Sequence, residues 1–255
     1  GNPNLRIEPY MGTYFYRVNT LHPVLKNKKV RLALAFAINR KQIVEKVSKC
    51  GQAAAYSFTP PGSAGYEPDT EVPFNPELAR SLLADSGYEN GEGFPVLEIL
   101  FNTQEGHRKI ALAIQQMWRE YLNINVELLN QEWKVYLDSE SNGDYQISRA
   151  GWIGDYVDPN NFLDMFLCDS GNNRTGWCNS EYDHLILQEA PKAASHKDRL
   201  AIFAQAEGIL LDELPVLPIY TYTSKHLVHP SVKNLGTNIL DQNYFRDMFL
   251  EQVID

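Results

Sequence analysis

The stretch Arg149-Ala150-Gly151-Trp152-Ile153-Gly154-Asp155-Tyr156-Val157-Asp158-Pro159 places one arginine and one carboxylate on either side of a small-residue backbone. A planar guanidinium suits a ligand carboxylate, and a carboxylate beside Trp152 and Tyr156 suits an ammonium. Together they could hold a short zwitterionic chain by its two ends. Each residue also has a plainer reading. Arg149 sits on a strand pattern among apolar neighbours, and either pairs internally with an acid or is reserved for a ligand. Asp155 is either solvated or holds a cation. Asp158, followed by Pro159, reads as a helix N-cap.

Catalytic constellations find little support. Asp155 and Asp158 could form a carboxylate pair for acid–base hydrolysis, but the N-cap reading takes Asp158 away. The histidines at 22, 107, 184, 196, 226 and 229 stand at no metal-ligand spacing from Cys, Asp or Glu. Arg149-Ala150-Gly151-Trp152 is not a nucleophile elbow. Gly62-Ser63-Ala64-Gly65 lacks the Lys-Ser/Thr of a phosphate loop. His107, at a helix start, reads as a surface residue. Trp133, Trp152, Trp177, Tyr220 and Tyr222 lie near strand ends, where they either pack the core or line a broad pocket. No metal or cofactor is implied.

The elements that must position these residues follow from periodicity. Tyr14, Tyr16 and Val18 alternate with Phe15 and Arg17, as in a strand. Residues 30–39 are helical, and Asn39-Arg40-Lys41-Gln42 opens a second helix that Gly51 ends. Tyr56 to Gly65, with Pro60-Pro61-Gly62, is a loop. Asn75-Pro76-Glu77 starts a helix with Leu78, Leu82 and Leu83 on its buried face. A strand at 95–102, a helix at 105–122 and a strand at 125–130 make a βαβ unit, so part of the sheet is parallel. A helix at 133–141, a strand at 145–153, helices from Asp158, Asn179 and His196, and an apolar strand at 215–223 complete the pattern. The class is α/β.

Composition sets the outer limits. The 255 residues are 44% hydrophobic and 11% aromatic, as in a packed core. The 32 acidic against 23 basic residues give a net charge of −9, which argues against a nucleic-acid partner. No apolar run approaches the roughly 18 residues that cross a bilayer. The polar opening Gly1-Asn2-Pro3-Asn4 lacks the apolar core of a secretory signal, as expected of a mature chain or an excised piece. Cys168 and Cys178 flank a polar loop. They either form a disulfide, in an oxidising compartment, or remain two free thiols. Cys50 reads as a structural thiol.

Several segments, in order along nearly the whole chain, resemble the C-terminal lobe of extracytoplasmic peptide-binding proteins of ABC importers, the family 5 solute-binding proteins. They are Tyr14 to Asn19, Val30 to Arg40, Phe58 to Gly62, Asn130 to Lys134, Arg149 to Asp158, Asn172 to Trp177 and Pro218 to Tyr220. The resemblance is greatest to the oligopeptide-binding branch.

The resemblance implies a periplasmic-binding-protein type II lobe: a mixed β-sheet flanked by helices. Residues 10–225 would form the lobe, with 1–9 and 226–255 belonging to a second lobe. Two such lobes close over an extended peptide, whose main chain adds to the lobe as a strand. The backbone at Gly151 and Ile153 would make those pairings. Asp155 would hold the α-ammonium, and Arg149 and His107 would meet the carboxylate. Trp133, Trp152, Tyr222 and Asn173 would line side-chain pockets. The implied partners are short peptides and permease subunits, with the protein monomeric, non-enzymatic and placed in the periplasm or on the outer face of the cytoplasmic membrane. A murein peptide, a dipeptide or a metal chelate is the alternative ligand. Two positions depart from the family pattern. Glu140 stands where some members carry a basic residue. Gly12 and Ile153 stand where some carry a disulfide, for which Cys168–Cys178 would be the substitute.

Overall fold

Both faces of the first strand are covered, more than its alternation requires. In the computed structural model, which describes residues 2–251, β1 (Leu5–Val18) is buried continuously from Met11 to Val18. The reason is its central place in a six-stranded mixed sheet. The other strands are β2 (Ala53–Ala54), β3 (Leu97–Asn102), β4 (Val126–Gln131), β5 (Ile147–Ile153) and β6 (Val216–Leu227), in the order β2-β6-β1-β5-β3-β4. β1 runs antiparallel to both β5 and β6. β3 is parallel to β4 and to β5.

The expected βαβ unit is present. α4 (Glu105–Leu122) joins β3 to β4, capped by Gln104, whose side-chain oxygen accepts the His107 N–H at 2.9 Å. Asn123, in the left-handed conformation, ends it. The buried stripe Ile110, Ile114, Met117 and Trp118 packs on the main core, and the Trp118 indole donates to the Leu34 carbonyl at 2.8 Å. Side chains alternate across β3: Ile99 and Phe101 join the main core, whereas Leu100 packs with Tyr136 and Tyr145 on the opposite face. That second cluster lies under α5 (Trp133–Asn142).

α1 (Lys28–Phe36), α2 (Arg40–Gln42), α3 (Pro76–Ala84), α6 (Asn160–Leu163), α7 (Ser180–His184) and α8 (His196–Glu213) complete the helices. Three expectations are corrected. α2 and α7 each continue into wider π-type turns, at Ile43–Ser48 and Leu185–Glu189. Lys49, with φ of 53°, ends the first of these before Gly51. On α3 the residue under the helix is Ala79, and Leu78 faces out at 42% exposure. Leu5 to Pro9 pair with Leu227 to Thr223 and prolong β1 and β6 together. Beyond Leu227 the regular elements among the described residues are the short pair β7 (Val232–Lys233) and β8 (Phe249–Leu250) and a 3-10 turn at Phe245–Asp247. The expected terminal segments extend outside the described residues at Gly1 and at 252–255.

The loop from Tyr56 is held from within. Phe58 is fully buried, edge-on to Phe15, Phe162 and Phe166 at 4.8 to 6.0 Å. Truncating such a side chain costs about 3–5 kcal/mol. The buried Glu207 carboxylate accepts the backbone N–H groups of Phe58 and Thr59, each at 2.7 Å, and the Tyr66 hydroxyl. A disulfide joins Cys168 to Cys178 and closes the loop before α7.

Candidate functional site

Strand β5 carries the site through its two-residue repeat. The Gly154 N–H donates to the Met11 carbonyl at 2.8 Å, and the Asn19 N–H donates to the Gln146 carbonyl at 2.9 Å. Even-numbered residues of β5 therefore bond to β1. In an antiparallel ladder the odd-numbered ones turn their backbone groups the other way. At Ile147 that side meets β3. At Arg149 the carbonyl accepts the Tyr136 hydroxyl. At Gly151 and Ile153, both exposed, no strand lies alongside among the described residues. This is a free strand edge two residues deep.

Gly151 is required for space. A Cβ there would stand 2.5 Å from the Tyr222 hydroxyl. Gly12 faces Ile153 across the ladder, and a Cβ on it would meet the Ile153 side chain at 2.4 Å.

Arg149 lies on the same strand, largely withdrawn from solvent. Its guanidinium donates to the Asn102 side-chain oxygen at 3.3 Å and to the Tyr222 hydroxyl at 3.4 Å. It also stands 4.9 Å above the Tyr14 ring centre, a cation–π contact. No acid pairs with it among the described residues, and its Nε has no partner. The internal-pair reading is thereby set aside. Burial works against its charge, but the phenols of Tyr14, Tyr222 and Tyr136 more than offset this and raise its pKa.

His107 lies half-buried beside it, not on the open surface. Its Nδ1 is 3.2 Å from the Tyr14 hydroxyl. Burial, then repulsion from Arg149, lowers its pKa to about 3. At neutral pH it is an uncharged hydrogen-bonding group. Burial raises the Tyr14 pKa to about 12, so this phenol stays protonated. Arg149, His107, Tyr220 and Tyr222 open onto one cavity of about 520 Å³. Cys50 also lines it and is a free thiol at its wall, half-buried rather than sealed in the core.

The remaining residues stand elsewhere. Asp155 is exposed just past the end of β5, and its carboxylate has no protein partner among the described residues. Its own N–H donates to the Asn161 side chain at 3.3 Å. Asn161 also receives the Trp152 indole, through its carbonyl at 2.8 Å and its side chain at 3.0 Å. Asp158 accepts the Asn160 N–H at 2.9 Å, as a cap should, and is gripped by Arg199. Trp133 is half exposed and stacks on Tyr136, which touches Arg149. The Asn173 amide is engaged inside its own loop, donating to Phe166, Leu167 and Trp177 carbonyls and accepting from Thr175. Glu140 does not face the cavity. It is buried between Arg17 at 2.7 Å and Arg174 at 3.2 Å, and Ser148 donates to it at 2.9 Å.

The chain is similar to known proteins over nearly all of its length. Residues 1–174 match the model of the bacterial extracellular solute-binding proteins, family 5. The oligopeptide-binding protein OppA of Bacillus subtilis is 36% identical over 97% of the chain and 47% of its own length. The periplasmic murein peptide-binding protein MppA of Escherichia coli is 38% identical over 95% of the chain and 46% of its own length. The crystal structure of Haemophilus influenzae OppA in complex with RPPGFSPFR superposes with a TM-score of 0.86. It is 33% identical, over 98% of this chain and 50% of that one. The chain thus spans about half the length of the relatives it matches. A mixed sheet with helices on both faces, and a family model covering more than half of its residues, make this chain a member of the family 5 bacterial extracellular solute-binding proteins.

Proposed function

We propose that residues 10–225 form the C-terminal lobe of a two-lobed binding protein that captures short peptides and delivers them to the permease subunits of an ABC importer. The observation that carries this reading is Arg149. A desolvated guanidinium with no acid partner, open to a cavity, is poised for a ligand carboxylate. The free edge at Gly151 and Ile153 lies on the same strand. An extended ligand can add there through its main chain alone, which makes binding tolerant of side chains.

Asp155 supplies the opposite charge. It stands six positions beyond Arg149, at most about 20 Å away at ~3.3 Å per residue. The two charges suit opposite ends of one extended chain and not a single small group. Trp133, Trp152, Tyr222 and Asn173 are assigned to the surrounding pocket walls. For Asn173 the assignment is to the loop that forms a wall, since its own amide is already engaged. The paired extensions Leu5 to Pro9 and Thr223 to Leu227 lead toward the second lobe. The protein acts as a monomer, without catalysis or cofactor, outside the cytoplasmic membrane. No helix among the described residues is long and apolar enough to cross a membrane.

Native mass spectrometry of the two-lobed protein as purified, followed by release and sequencing of bound ligands, tests the reading. A ladder of mixed short peptides is the expected result. One defined compound, such as a murein peptide, a dipeptide or a metal chelate, would move the assignment to a specialised branch. Release of cleaved products only would point to a hydrolase.

A further inference from the structure

The cavity at Arg149 is larger, and more one-sided in charge, than a terminal carboxylate needs. Its volume is about 520 Å³, whereas a carboxylate is the size of a few water molecules at roughly 30 Å³ each. Two cations line it, Arg149 and Lys109, and no aspartate or glutamate does. This is unusual in a chain with 32 acidic and 23 basic residues.

The neutral groups in the wall are also arranged to donate. Gln104 spends its side-chain oxygen on the His107 N–H, and Gln52 spends its own on the Ser48 hydroxyl and the Cys50 N–H. Both amide NH2 groups are left without a protein partner among the described residues. His107 has its Nδ1 engaged with Tyr14, which leaves its Nε2 to the cavity. Lys109 is held only loosely, 3.7 Å from Glu105 and 58% exposed, so it is available to a second anion.

We infer that this cavity receives the last residue of the peptide whole, side chain as well as carboxylate, and selects peptides that end in glutamate or aspartate. This inference rests on the peptide-binding reading and adds a side-chain preference to it. Arg149 takes the terminal carboxylate; Lys109 and the amides of Gln52 and Gln104 take the second one. A peptide ending in lysine would instead place its ammonium beside the guanidinium of Arg149, with no acid in the cavity wall to receive it.

The test is a competition assay at fixed ionic strength. It uses the tripeptides Ala-Ala-Glu, Ala-Ala-Gln and Ala-Ala-Lys against the two-lobed protein and its Lys109→Glu and Gln52→Glu variants. The glutamate peptide should bind about fivefold tighter than the glutamine peptide, the scale of one partly exposed charge pair. It should exceed the lysine peptide by more. Lys109→Glu should abolish the glutamate preference, and Gln52→Glu should shift it toward lysine. Equal binding of all three by the parent protein, or best binding of the lysine peptide, would overturn the inference while leaving the peptide reading intact. A glutamate preference unchanged in both variants would also overturn it, since the preference would then arise elsewhere. If the parent bound neither these tripeptides nor tetra- and pentapeptides with the same last residues, the peptide reading itself would fall, and the inference with it.

Discussion

Arg199 on α8 holds Asp158 with both terminal guanidinium nitrogens, at 2.7 and 2.9 Å, and lies 4.5 Å from the Phe203 ring centre. Asp158 also caps the start of α6, and Asn161 on α6 fixes the N–H of Asp155 and the indole of Trp152. The turn that presents Asp155 is therefore anchored to a helix 41 residues further along the chain. Arg199→Gln should lower the unfolding free energy by about 1.5–3 kcal/mol, the range for hydrogen bonds to charged groups. Urea denaturation measures it. A loss under 0.5 kcal/mol would show that the pair is not holding the turn.

The carboxylate of Asp155 makes no hydrogen bond or ion pair among the described residues, so its removal should spare the fold and cost only ligand. Asp155→Asn should leave the urea midpoint unchanged and weaken peptide binding to the two-lobed protein by about 2–5 kcal/mol, as for a desolvated charge pair that loses one partner. Calorimetric titration with a tripeptide measures this. Unchanged affinity would remove Asp155 from the site.

Gly151 is fixed by space, not by backbone angle. With the Tyr222 hydroxyl 2.5 Å from where a Cβ would stand, Gly151→Val should push Tyr222 off Arg149. It should destabilise the lobe by about 1–3 kcal/mol, the usual cost of overpacking, and abolish tight peptide binding. Gly151→Val binding as well as the parent would mean that the free edge is not used.

The neutral state of His107 gives the fold an acid sensitivity. Its pKa is about 3 in the folded lobe, because of burial and Arg149, against about 6.5 when unfolded. The unfolded chain thus binds a proton first as pH falls. The stabilising contribution is fully present above pH 6.5 and is lost progressively down toward pH 3. Urea midpoints at pH 7.5 and 4.5 should fall further apart in the parent than in His107→Gln. In an NMR titration the His107 ring resonances should stay put between pH 7 and 4.5. A ring that titrates near 6.5 would contradict its burial.

Much of the frame could be read from the sequence. The apolar stripe alone placed a helix at 105–122, and the structure closes it there with the Gln104 cap and the left-handed Asn123. The βαβ unit followed from that. What stayed hidden depends on residues that meet only in space. Arg149 looks alike in sequence whether or not it pairs with an acid, and Asn102, Tyr14 and Tyr222 reach it from three other strands. Glu140 reads as an open helical position until Arg17 and Arg174 close on it from far along the chain. The π-type turns after α2 and α7 leave no mark in composition. Leu78 was misplaced because the α3 stripe runs through Ala79, a residue too small to announce itself as core.

The alternation along β5 binds the features of the site to one another. Arg149, Gly151 and Ile153 share a phase, and that phase decides which backbone groups reach the open edge and which side chain enters the cavity. A single residue gained or lost near the start of β5 would invert the phase. It would exchange the guanidinium for Ser148 or Ala150 and put a side chain where Gly151 leaves space, while the backbone of the newly placed residues took over the edge. The sheet would keep its strand order and its free edge, yet anchor and glycine gap would vanish in one step. Ligand preference can therefore change by substitution around the cavity wall, whereas an insertion or deletion within the strand should cost the anchor.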